Sequence, residues 1–213
     1  MRQSTRPAGE GAEMGDPAPG AGQDGGGLVL RRLEGPGVKL GNFAGKNLLV
    51  IFGSYSDPTF RDRAAGLPGL LRRVGRRVDV LMVYSAELFP AGVAIGRNEA
   101  AGVSVAGHRT IEERLAAAKS AAAELKLSGL VWCVDDMDGS AAKSFGLAYP
   151  TPAGAVLIGR DGRVARVNRY LDLYAIEEAV LGLPPKVGAT TAPTVGGDAA
   201  GATTKPAAEP TDR

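Results

Sequence analysis

The sequence predicts an α/β fold of three layers, with a mixed central sheet and helices on both faces. Three observations carry this. Nearly continuous apolar runs stand at Asn47–Phe52 (NLLVIF), Val78–Tyr84 (VDVLMVY) and Leu130–Val134 (LVWCV), the pattern of strands covered on both faces. Segments with helical periodicity lie between them. Ala155–Val167 (AVLIGRDGRVARV) reads as two short strands joined at Arg160-Asp161-Gly162, so the sheet finishes with an antiparallel pair.

The elements follow in order. The chain has 213 residues, with 31 Gly and 14 Pro crowded towards its ends. Residues 1–27 have almost no large apolar side chain, and residues 184–213 are mainly Ala, Thr, Gly and Pro. Neither segment can bury enough surface to offset the entropy of ordering, so both are expected to be disordered tails. Residues 28–183 between them make one domain, long enough to bury about 70% of its unfolded surface. A hairpin is expected around LVLRRL (28–33) and VKL (38–40). After the first apolar run, Asp57 at an N-cap and Pro58 at the first helical position start a helix. RRVGRR, Arg72 to Arg77, falls at its end, where cations suit the helix dipole. After the second run, Thr110 and Glu113 have capping-box spacing. Ile111, Leu115, Ala118, Ala122 and Leu125 then make one apolar face. The third run precedes a short helix near Ala141–Phe145, and the hairpin follows. A last helix is expected from about Asp172 to Leu181, with Leu173, Ile176 and Val180 as its stripe, ended by Gly182 and Pro184-Pro185. This order, closing on an antiparallel hairpin plus a helix, is thioredoxin-like, and on order alone other three-layer folds stay open.

Composition excludes several classes. With 25 basic and 23 acidic residues the net charge is +2, which makes no electrostatic case for nucleic acid or an anionic membrane. No apolar run approaches the ~20 residues of a membrane-spanning helix. The start lacks the apolar core of a signal peptide. The one cysteine, Cys133, allows no internal disulfide, so a cytoplasmic location is expected. Within LVWCV it reads as a buried, inert side chain. GNFAGK lacks phosphate-loop spacing. Asp135, Asp136 and Asp138 (DDMD) are unaccompanied by a second ligand cluster and read as a solvated turn and helix cap. Neither a metal nor another cofactor is expected.

Five segments, in order, resemble the iodothyronine deiodinases and their bacterial relatives. FGSYSDPTF (Phe52–Phe60) is similar to the active-site turn, VDVLMVYSAELFP to the following strand, and GHRTIEERLAAA to the start of a helix. VDDMDGSAAKSFG and YPTPAGAVLIGRDGRV fit the later segments, so the likeness spans about Val38 to Leu181. The resemblance implies a thioredoxin-like fold and an oxidoreductase ancestry, with a selenolate or thiolate at the turn. That position is Asp57 here. The turn's other cysteine position is Tyr55, the usual histidine after the second strand is Phe89, and a glycine-rich segment after the last hairpin is replaced by NRYLDLY. Glu87, His108, Ser54, Pro58 and Pro152 match the family pattern.

These substitutions set the functional expectations. Asp57 offers a hard oxygen anion where two-electron exchange needs sulfur or selenium, and it reads as a helix cap. Tyr55 reads as a packed ring. Taken alone, a loop histidine such as His108 reads as polar surface. The leading expectation is a redox-inactive pseudo-oxidoreductase that binds a small molecule or protein partner at the inherited cleft. One alternative is an oxidoreductase acting through Cys133 or an external thiol. Another is an acid–base enzyme using Asp57, Glu87 and His108.

Overall fold

A nearly continuous apolar run needs cover on both sides, and the three such runs become neighbouring parallel strands. The computed structural model describes residue 22 and residues 24–184. In chain order the elements are β1 (Val29–Arg32), β2 (Val38–Lys39), β3 (Leu48–Gly53), α1 (Pro58–Val74), β4 (Asp79–Tyr84) and α2 (Gly96–Ala100). There follow α3 (Ile111–Glu124), β5 (Val131–Val134), α4 (Ser140–Ser144), β6 (Gly154–Ile158), β7 (Val164–Asn168) and α5 (Leu173–Gly182). The sheet runs β2-β1-β5-β4-β3-β6-β7. β3, β4 and β5 are parallel, and β6, β7, β1 and β2 each join antiparallel.

The expected tails lie outside the described residues, apart from residues 22, 24–27 and 184. The first of these already pair with the hairpin. Gly22 N–H donates to Val164 O at 2.8 Å, Asp24 bridges Arg163, and Gly25 N–H donates to Gly162 O. Pairing therefore begins ahead of Leu28.

Side chains alternate along β3 between two cores. Leu49 and Ile51 face α1, α3 and α5, together with Met82, Tyr84, Trp132 and Val134. Leu48, Val50 and Phe52 face the other way, towards Ala141, Ala142 and Phe145 beside α4 and towards Leu30 and Leu40. Cys133 lies in this second core, fully buried. The three layers are those the apolar runs predict.

α1 presents Phe60, Ala64, Leu67, Leu70 and Val74 to the first core at helical spacing. It ends at Gly75, whose φ of +58° favours glycine and whose N–H reaches Leu71 O. Gly53, closing β3, has no side chain because a Cβ there would collide with the Phe60 ring. Arg73, in the basic cluster, pairs with Glu177 at 2.8 Å and ties α1 to α5.

α3 starts as the Thr110–Glu113 spacing predicts, with one change. Thr110 Oγ1 accepts from Glu113 N–H, but Glu113 accepts from Arg109 N–H rather than from that of Thr110. α2 was not expected. It is five residues long, starts at a glycine, and has no apolar stripe to give it away.

Candidate functional site

The turn from Ser54 to Asp57 joins β3 to α1 at the end where the parallel strands finish. Asp57 is the N-cap of α1, and its Oδ1 accepts from Thr59 N–H at 2.8 Å. Its other oxygen, Oδ2, accepts from Ala153 N–H at 3.0 Å, just before β6. Asp57 is only 3% exposed, so both oxygens are turned into the protein. Sequence reasoning reached the cap through the Asp-Pro pair; the second bond is tertiary and carries no local signal.

The turn's other polar groups are held from the segment after β4. Ser54 Oγ accepts from Leu88 N–H at 3.1 Å, and Ser56 Oγ from Phe89 N–H at 3.0 Å. Glu87 Oε2 accepts from Ser56 N–H at 2.9 Å. Tyr55 N–H donates to the Tyr84 hydroxyl at 3.2 Å, and that hydroxyl donates to Glu87 Oε1 in a short bond. Burial, then the nearby Glu87, push the Tyr84 hydroxyl well above its ordinary value, so it stays a donor. The Tyr55 ring packs half-buried against the first core, with the Arg61 guanidinium 5.5 Å from its centre.

His108 is not polar surface. Its side chain is 4% exposed, with Nε2 3.4 Å from Glu87 Oε1. The loop before α3 folds it inward against the Tyr84 ring, at 5.9 Å between centroids. Burial lowers its proton affinity; Glu87 works against this and Arg114 with it. The structure thus brings Glu87 and His108 together. Asp57 joins the same turn, but its hydrogen bonds go to Thr59 and Ala153.

Two contributors were missed by sequence reasoning. Arg114 is 1% exposed and donates to Asp135 O, Asp136 O and the Tyr149 hydroxyl. It sits three residues after Ile111 and four before Ala118, and that spacing was the available signal. Asn98, on α2, donates from Nδ2 to Ser56 O and accepts from Arg61 at Oδ1, both at 2.8 Å. Arg61 also donates to Tyr55 O. Beside this clamp lies a cavity of about 440 Å³ whose walls include Phe89, Asn98 and Glu99. Nothing in the sequence marks Asn98.

The remaining candidates have structural partners. The Asp135 carboxylate accepts from Asp136, Ala141 and Ala142 N–H and so caps α4, while burial raises its pKa against those bonds. The Cys133 thiol is pushed up to about 11 by burial. Among the described residues no helix is long and apolar enough to cross a membrane.

Comparison with known proteins adds to this geometry. The family model described as iodothyronine deiodinase matches residues 12–164, starting earlier and ending sooner than the motif likeness at Val38–Leu181. Thyroxine 5-deiodinase of Sparus aurata is 33% identical over 136 residues, covering 63% of this chain and 48% of that protein. The chain spans about half the length of the curated relatives it matches. Among solved structures, DsbF of MTB in mixed oxidized and reduced forms aligns at a TM-score of 0.55 and 15% identity, covering 76% of this chain and 98% of that one. A thioredoxin-like protein from Aeropyrum pernix aligns at 0.53 and 18% identity, covering 74% and 90%. At such identities the likeness is one of fold, and the fold is thioredoxin-like.

Proposed function

The chain belongs to the iodothyronine deiodinase family, and from that premise we propose that it is a redox-inactive member, a pseudo-oxidoreductase that binds a small molecule or protein partner. The observation that carries the reading is the double engagement of Asp57, whose two oxygens accept from Thr59 and Ala153. The N-terminus of a helix would stabilise a thiolate or selenolate and so raise its share at neutral pH. A carboxylate gains the same electrostatics but cannot form a mixed disulfide or carry a two-electron exchange. Here its charge is spent on two backbone donors.

The test is direct. Purified protein is assayed with a dithiol reductant, peroxide and an iodinated phenol, and background turnover is expected. Turnover that disappears in Cys133→Ser would overturn the reading in favour of a redox enzyme. Burial stands against that alternative. With the thiol at about 11, roughly one molecule in 10⁴ would be thiolate at pH 7, in a side chain with no exposure.

The acid–base alternative draws on one specific observation, the approach of His108 to Glu87. Both side chains are buried, and Glu87 already holds Ser56 N–H and the Tyr84 hydroxyl. A pH–rate profile on a panel of small esters, run beside His108→Ala, decides this reading. A flat background that the variant leaves unchanged dismisses it.

A further inference from the structure

The connection from β4 to α3 does more than cover the turn. Residues 89–95, 98, 99 and 102–104 line an open cavity of about 440 Å³, a volume within the range of small-molecule sites, about 300–1,000 Å³. Its walls include Phe89, Pro90, Val93, Ile95 and Val103. Val93 is 49% exposed, a large apolar side chain left open at the cavity. The loop is braced from within by Ala91 N–H to Val105 O at 2.7 Å and Val103 N–H to Asn98 O at 2.8 Å.

The polar groups of the wall differ in what they have left to offer. Both ends of the Asn98 amide are taken, by Ser56 O and by Arg61. Arg97, the neighbouring cation, is paired with Asp62. Glu99 lines the cavity and, among the described residues, forms no ion pair. The cavity therefore combines a mixed wall, in which Phe89, Val93, Ile95 and Val103 are the large apolar side chains, with one carboxylate outside any ion pair and no lining cation. Complementary chemistry is an apolar body carrying a single positive charge.

We propose that this cavity binds a small hydrophobic amine in its protonated form, the apolar body against Phe89, Ile95 and Val103 and the ammonium at Glu99. The assignment rests on the reading that the chain acts by binding, and it moves the ligand from the covered turn to the cavity beside it. Phe89 N–H and Asn98 both bond Ser56, so an occupant is one residue removed from the turn.

The test is amide-resolved NMR of the full chain titrated with tryptamine, indole and indole-3-propionate, three ligands with one ring and charges of plus one, zero and minus one. Tryptamine is expected to move amides within residues 89–104 and at Ser56, saturably, and to bind most tightly. Glu99→Gln, an exposed change that leaves the fold alone, is expected to weaken tryptamine by up to about fivefold and to leave indole unchanged. Ile95→Trp is expected to block binding while the remaining spectrum stays native. Equal binding of the three ligands, insensitive to Glu99→Gln, overturns the amine assignment. Shifts confined to another surface, or none at all, overturn the site. The redox-inactive reading fails separately, by dithiol-assay turnover that Cys133→Ser abolishes.

Discussion

The Asp57 carboxylate and the Ala153 N–H are 96 residues apart in sequence and 3.0 Å apart in space. With Oδ1 on Thr59, one side chain caps α1 and fastens it to the segment entering β6. Asp57→Ala removes the cap, at about 0.5–2 kcal/mol, and strands a buried N–H, at about 1–3 kcal/mol. A combined loss of about 1.5–5 kcal/mol is expected in urea unfolding. Asp57→Asn keeps one acceptor oxygen and should lose less. Equal losses for the two variants would remove the Ala153 bond from the account.

The covering of the turn makes a second claim. Asp57→Cys places a thiol at a helix N-terminus, where its anion is favoured, yet in a position only 3% exposed. In the native state, iodoacetamide should alkylate it slowly. Asn98→Ala releases the clamp on Ser56 O and Arg61 and should speed alkylation at least about tenfold, an opening made easier by about 1.4 kcal/mol. Fast alkylation of the single variant would mean that α2 does not guard the turn.

His108 gives the protein a pH signature. Its folded-state proton affinity is lowered, chiefly by burial, while the unfolded side chain titrates near ~6.5. The unfolded chain therefore binds the extra proton first. The stability linked to this group is whole above about pH 6.5 and declines as pH falls from there through the folded value. Wild type minus His108→Gln, measured by unfolding from pH 8 to 5, isolates this from carboxylates such as Asp135. The difference should fall on acidification; a rise would reverse the assigned direction.

Arg114 supports the site by geometry as well as charge. Its fork spans the carbonyls of Asp135 and Asp136 and the Tyr149 hydroxyl, a set an ammonium cannot span. Arg114→Lys is expected to cost about 1–3 kcal/mol in denaturant unfolding. A neutral result would show that these carbonyls find other donors.

The fold was legible where each decision is local. Leu48–Gly53 announces its two-sided burial, Asp57-Pro58 its helix start, and Arg160-Asp161-Gly162 its turn. The family segments led to Glu87 without showing its task, because a glutamate that holds Ser56 N–H looks in sequence like any other. His108 reads as loop surface until the chain before α3 folds it against Tyr84. Arg114 was readable from spacing but looked like a charged outer residue of EERL. Asn98 was not readable, since α2 is five residues long without an apolar stripe and the partners of the Asn98 amide are distant in sequence.

The bonds between the β4–α3 connection and the turn go to Ser54 Oγ, Ser56 Oγ, Ser56 N–H and Ser56 O, none of them to the side chain of Asp57. Such links are indifferent to which side chain stands at position 57. The loop can therefore keep its shape whichever side chain stands at the head of α1, and that position can be exchanged without rebuilding the cavity beside it. That gives mutation and selection a ready-made cavity to re-employ.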